Sequence, residues 1–304
     1  MKFEIKKIIL PTDFSETSNM ALSHAAFLAR LFQAELTVVH VQAFDPFYFE
    51  IPEPILVIQD HTKLDQYISD KLEEICRRIE SEYGIKPLHR VEHGNVANEI
   101  MQLAQNEKTD LIVMGTHGAK GFEELFIGSN AHKVVELAPC PVLTVQAHAA
   151  KPGFTNIVLP IDRSLHSREK VKTATTLAKA YGAKIHILGL LDETEDLDDA
   201  EENEYGKLQI VLDQVQEAVE NAGVPFTRHT VKGTHLAAEA LKYGTSVNAD
   251  LIIIMTDHES ALTGLFMGPL AKQIVNHSRI PVLSIKPHYG NFESIDLTGA
   301  YTAY

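Results

Sequence analysis

The chain has 304 residues, 45% of them hydrophobic, and carries 27 Lys and Arg against 41 Asp and Glu, a formal net charge of −14. That length is about two domains of roughly 100–200 residues, with the composition of a globular core rather than a disordered segment. The acidic balance repels polyanions, no apolar run reaches the roughly 18–20 residues of a membrane span, and the start MKFEIKKIILPTDFS lacks a signal-peptide core; a cytosolic protein that binds neither nucleic acid nor membrane is expected.

In chain order, short Ile- and Val-rich runs alternate with stretches of helical period, the pattern of β-α units on a parallel sheet. Strands are predicted at 6–11, 35–42, 86–92, 110–115 and 141–146, and helices at 16–32, 62–83, 95–107 and 129–138. The run at 110–115 is apolar without alternation, as a central strand covered on both faces should be. The two cysteines, Cys76 and Cys140, form neither a disulfide framework nor a metal-ligand spacing and are read as packed thiols.

The second half repeats the first. KKIILPTDFSETSNMALSHAAFLARLFQAELTVVHV aligns without a gap on TNIVLPIDRSLHSREKVKTATTLAKAYGAKIHILGL at an offset of 149, Asp13 meeting Asp162. Further on, DLIVMGTHGAKGFEELFIGSNAHKVVELAPCPVLTV aligns on DLIIIMTDHESALTGLFMGPLAKQIVNHSRIPVLSI at an offset of 140, Asp110 meeting Asp250. The difference falls in the connection after the second strand, where Phe44 to Gln59 outrun Asp192 to Tyr205. The organisation is therefore a domain over 1–147, a linker over 148–155, a second domain over 156–287 and a tail over 288–304.

Gly115, Gly118 and Gly128 stand in the spacing G-x2-G-x9-G-S, between the carboxyl end of the fourth strand and the amino end of a helix that Ser129 opens and Pro139 stops. Open α/β sheets place ligands at that junction, and a helix amino terminus offers unpaired N–H groups and a partial positive charge to a phosphate. The G-x4-G-K-[ST] loop and the G-x-G-x-x-G fingerprint are both missing. The end of the first strand, with Asp13, faces the same crevice. There the carboxylate either accepts hydrogen bonds from ribose hydroxyls or caps the helix that begins near Ser15.

The segments KKIILPTDFSE, HV at 40–41, HGN at 93–95, VMGTHGAKG with IGS, and APCPVLTV resemble the ATP-binding branch of the universal stress protein family, over about 1–147 and again over 154–287. The resemblance implies an α/β fold of two tandem five-stranded parallel sheets, each of order 3-2-1-4-5 with helices on both faces. It implies ATP with magnesium as the ligand of the first domain. Val41 and Asp13 would hold adenine and ribose, Gly115 would lie along the ribose, and Gly118, Gly128, Ser129 and Asn130 would take the phosphates. Pro11, Thr12, Met114, Thr116 and His117 would line the pocket. Pairing through fifth strands, in this family, implies that PVLTV and PVLSI join within the chain, with a homodimer as a further assembly.

The second half keeps Gly268 and Asp162 but has Met255, His258 and Pro269 where the first has Gly115, Gly118 and Ser129. Side chains replace bare backbone, and the proline removes an N–H donor, so no competent second nucleotide site is expected. Other features are read as ordinary. His89 and His93 on a strand stand roughly 13 Å apart, too far to share one ion. The run LDETEDLDDAEENEY, with nine carboxylates, is a solvated loop and helix start, and Asp257-His258 is a weak metal candidate. The aromatic and proline-rich FDPFYFEIPEPILVI fits a lid or an oligomer contact. Lys120 is the one cation in the phosphate loop, which favours a nucleotide-dependent sensor or switch acting on an unknown protein partner; a slow ATP hydrolase or nucleotidyl-transfer enzyme is the alternative.

Overall fold

The computed structural model describes residues 4–43, 61–116, 127–146, 152–163, 168–193, 201–256 and 267–286, with 61–63 and 201–204 as helical backbone only. The first half runs β1 (Lys7–Pro11), α1 (Glu16–Phe32), β2 (Glu35–Gln42), α2 (His61–Tyr83), β3 (Leu88–His93), α3 (Val96–Glu107), β4 (Leu111–Gly115), α4 (Ser129–Leu137) and β5 (Val142–Val145). The second runs β6 (Asn156–Ile161), α5 (Lys170–Tyr181), β7 (Lys184–Asp192), α6 (Glu201–Asn221), β8 (Phe226–Gly233), α7 (Leu236–Ser246), β9 (Leu251–Met255), α8 (Pro269–His277) and β10 (Val282–Ile285). Predicted and observed boundaries differ by a residue or two.

Local chemistry accounts for where the elements stop and start. Ser15 caps α1 by accepting from the Ser18 N–H, and Asn95 caps α3 by accepting from Asn98. Gln33 and Lys108 close the same two helices in the left-handed conformation, each turning its N–H back onto the last carbonyls. The β1–β4 junction is clamped by Asp110, whose carboxylate accepts from the Lys6 and Lys7 N–H groups at 2.8 and 2.9 Å. Asp250 repeats the clamp in the second half, taking the Thr155 N–H and hydroxyl and the Asn156 N–H at 2.6–3.0 Å.

The expected pair of five-stranded sheets is continuous. The strand order is β3-β2-β1-β4-β5-β10-β9-β6-β7-β8, two parallel 3-2-1-4-5 halves joined edge to edge. β5 and β10 pair antiparallel, with Leu143 opposite Leu283, so PVLTV and PVLSI meet as the family resemblance implies. Both faces of the central strands are buried. Leu28 of α1, Leu72 of α2, Leu177 of α5 and Leu212 of α6 share one core, and Ile100 of α3, Val134 of α4, Ala240 of α7 and Ile274 of α8 share the other.

At the seam, Ile5, Leu28, Leu111 and Leu143 meet Phe154, Leu177, Leu251 and Leu283 around a small apolar void. His24 stacks on Phe154, which tilts against Tyr181, and Tyr181 stacks on Phe27, an aromatic chain that crosses from one half to the other. Among the described residues no helix is long and apolar enough to cross a membrane.

Candidate functional site

The first crevice opens at the carboxyl ends of β1 and β4. Register places Pro11 beside Val39 of β2, and Thr12 continues the ladder by donating its N–H to the Val39 carbonyl at 2.8 Å. Thr12, Val41, Met114 and Thr116 are buried, whereas Asp13, Ser129 and Asn130 are exposed at the mouth. β4 leads directly to α4: Thr116 donates its N–H to Val145, and its carbonyl accepts from the Gly128 N–H at 2.6 Å. Two of the site residues expected from sequence, His117 and Gly118, lie outside the described residues, as do Lys120, Asp257, His258 and residues 44–60.

Gly128 is the N-cap of α4, with φ −60° and ψ 150°, and among the described residues no side chain caps the helix. The N–H groups of Ser129 and Asn130 belong to the first turn of α4, whose amino terminus carries the partial positive charge that favours an anion. Gly115 has a packing reason to lack a side chain. A Cβ there would stand 2.9 Å from Thr17 Cγ2 and 3.0 Å from the Thr17 carbonyl carbon, so α1 can cross the end of β4 only over glycine.

Asp13 is not the cap of α1; Ser15 is. The Asp13 carboxylate instead accepts from the Ser15 N–H at 3.1 Å and from the Ser18 hydroxyl, which also takes the Asp13 N–H at 3.3 Å. Sequence reading missed Thr17, Ser18, Phe14 and His40. Ser15 and Ser18 carried a usable signal, a serine pair at N-cap spacing just after the aspartate.

The second crevice has the same backbone and different chemistry. Gly268 is again the N-cap, and its N–H again reaches the preceding threonine carbonyl, Thr256, at 2.9 Å. Pro269 occupies the first helical position, where it suits the helix but has no N–H to offer. Met255 is buried with the core on the α5 face. In the first half the corresponding side is where α1 overlies Gly115; the described α5 begins at Lys170, the counterpart of Ala21 within α1.

Elsewhere, His93 Nε2 lies 3.0 Å from the Asp65 carboxylate and His89 Nε2 lies 3.5 Å from the Ser69 hydroxyl. Among the described residues no cluster of three or more His, Cys, Asp or Glu could hold a metal ion. Burial raises the Cys76 thiol to about 11 and the Cys140 thiol to about 12, so both stay protonated and unreactive at neutral pH.

The fold is that of a tandem doubly wound α/β protein whose two halves repeat a glycine N-cap after the fourth strand and differ in the residue that follows it. The model of the universal stress protein family matches residues 4–146 and again 153–286, and the chain belongs to that family. Universal stress protein MJ0531 of Methanocaldococcus jannaschii is 35% identical over 144 residues, covering 46% of this chain and 82% of that relative. Universal stress protein YxiE of Bacillus subtilis is 31% identical over 146 residues, 46% of this chain and 98% of its own. Each of these relatives thus matches about half of the chain. A universal stress protein from Archaeoglobus fulgidus has the same fold across the whole molecule, with a TM-score of 0.71 at 19% identity, covering 92% of this chain and 98% of that one.

Proposed function

We propose that the first half binds one adenine nucleotide, ATP with magnesium, and that the second half serves as its fixed structural partner in a nucleotide-dependent switch. The observation that carries this reading is the asymmetry of the repeat. Both halves build a glycine N-cap behind a buried threonine, yet only α4 keeps an N–H and a hydroxyl at its first position. In this reading the start of α4, with Gly128, Ser129 and Asn130, receives the phosphates. Asp13 at the mouth takes ribose hydroxyls, and the main chain at Val41 meets adenine. The bound triphosphate would supply the charge whose state the switch reads, with magnesium balancing it. Gly118 and His117 complete the set from the sequence motif.

Titration of nucleotide-stripped protein with magnesium-ATP by calorimetry tests this. One site per chain is expected, with the ATP recovered intact. Ser129→Pro, which copies what α8 already tolerates, should keep the melting temperature within a few degrees and weaken binding by roughly tenfold, since a charged phosphate oxygen loses a backbone N–H donor and a hydroxyl. Two sites per chain would contradict the asymmetry. No binding would remove the reading, and released ADP would make the protein a hydrolase.

A further inference from the structure

The turn between β1 and α1 is held by a clasp that the nucleotide motif does not include. Phe14 has φ 65°, left-handed backbone that a bulky residue adopts only when its surroundings hold it there. Two contacts do so. The Phe14 ring stacks on the His40 imidazole with centroids 4.8 Å apart, and the Phe14 N–H donates to Thr12 Oγ1 at 3.1 Å. His40, on β2, also holds the residue before the turn: its Nδ1 lies 2.8 Å from the Thr12 carbonyl oxygen. A carbonyl only accepts, so Nδ1 carries the proton and donates.

Everything the clasp fixes belongs to the mouth of the crevice. Between the two clasped residues stands Asp13, whose carboxylate is tied to Ser15 and Ser18 within the same turn. One turn of helix further, Thr17 closes over Gly115 at the end of β4. The position of the aspartate relative to β4 is thus set by the left-handed residue beside it.

The repeat supplies a comparison within one chain. At offset 149 the counterparts of Phe14 and His40 are Arg163 and Gly189, which can form neither the stack nor the ring donor. A Cβ at Gly189 would stand 2.8 Å from Leu212 Cδ1 and 3.0 Å from Thr230 Oγ1, so an imidazole there would have to displace the Leu212 side chain from the core. The half that lost the helix-terminus donor has therefore lost the clasp as well, although the strands that would carry it remain paired in parallel as β1 and β2 are.

From this we infer that Phe14 and His40 are positioning residues for the nucleotide of the first crevice: their stack, with the His40 to Thr12 hydrogen bond, holds the left-handed turn that aims Asp13. The inference rests on the reading of that crevice as the nucleotide site. It also makes a prediction that a purely packing role does not, because glycine adopts φ 65° without strain and alanine does not.

The test compares magnesium-ATP affinity by calorimetry in the full chain, the Phe14→Gly variant and the Phe14→Ala variant, well below each melting midpoint. Both variants lose the ring. If the turn geometry matters, Phe14→Gly binds within about threefold of the parent, while Phe14→Ala, which must rebuild a strained turn on binding, loses about tenfold. His40→Phe, which keeps a ring over Phe14 and removes the donor, is expected to lose about fivefold. Equal losses for glycine and alanine would reduce Phe14 to packing and overturn the inference, as would unchanged affinity in all variants; either result leaves the nucleotide reading standing. Failure of the parent protein to bind would remove both.

Discussion

Lys170 is a cation placed where its counterpart in the first half, Ala21, is a fully buried methyl group. It is itself only 5% exposed, and burial lowers its pKa from 10.5 to about 8 against the weaker opposing pull of Asp162. The folded pKa lies below the unfolded one, so the unfolded chain holds the extra proton between about 8 and 10.5. Stability should accordingly rise as pH climbs through that window, and the penalty is at its full, constant size below about 8. Lys170→Met is expected to stabilise the protein at pH 7 by roughly 2 kcal/mol and to flatten the rise at alkaline pH. Urea unfolding at pH 7, 8, 9 and 10 measures both. A destabilised variant would mean that the ammonium is held by more favourable partners than its burial suggests. Nothing in the sequence marks this lysine, because long cationic side chains ordinarily keep their heads in water.

At the scale of elements, the aspartates before β4 and β9 do more than their place in an alignment shows. Each carboxylate ties the start of the first strand of its half to the central strand beside it, and Asp250 does so through three hydrogen bonds. Replacing it with alanine should cost about 2 kcal/mol in denaturant unfolding, given about 1 kcal/mol for each bond less what water restores at a partly exposed site. Asp250→Asn should recover part of that loss; a neutral result for the alanine variant would show the clamp to be redundant.

Helices and strands were legible for reasons of the same kind, since Ser15 and Asn95 announce helix starts and unbroken Ile-Val runs announce buried central strands. The crevice was legible only where glycine spacing spoke for it. Gly115 is bare toward α1, a packing demand that spacing cannot distinguish from a ligand's. A phenylalanine in left-handed backbone has no signature at all, because the tertiary contact with His40, not local propensity, selects it.

For the whole molecule the deciding feature is the seam. β5 and β10 pair with Leu143 opposite Leu283, and at offset 140 these are the same residue of the repeat. A pairing centred on equivalent residues is two-fold symmetric in all but sequence, the geometry of an isologous dimer folded into one chain. The substitutions across it are slight: Thr144 donates to the Val282 carbonyl at 3.2 Å, whereas the equivalent Ser284 hydroxyl is buried with no hydrogen-bond partner among the described residues. A chain of residues 1–147 alone would leave β5 as an open edge, with Leu143 deprived of Phe154, Leu177, Leu251 and Leu283. It would bury that edge against a second copy, Leu143 opposite Leu143, and both Thr144 hydroxyls would then have the carbonyl partner that only one has now. Light scattering after size exclusion should give twice the fragment mass, with Leu143→Asp returning it to a single copy or to aggregate. A monomeric fragment would show that the seam depends on what differs between the halves, foremost the Phe154 and Tyr181 rings that only the second half brings to His24 and Phe27.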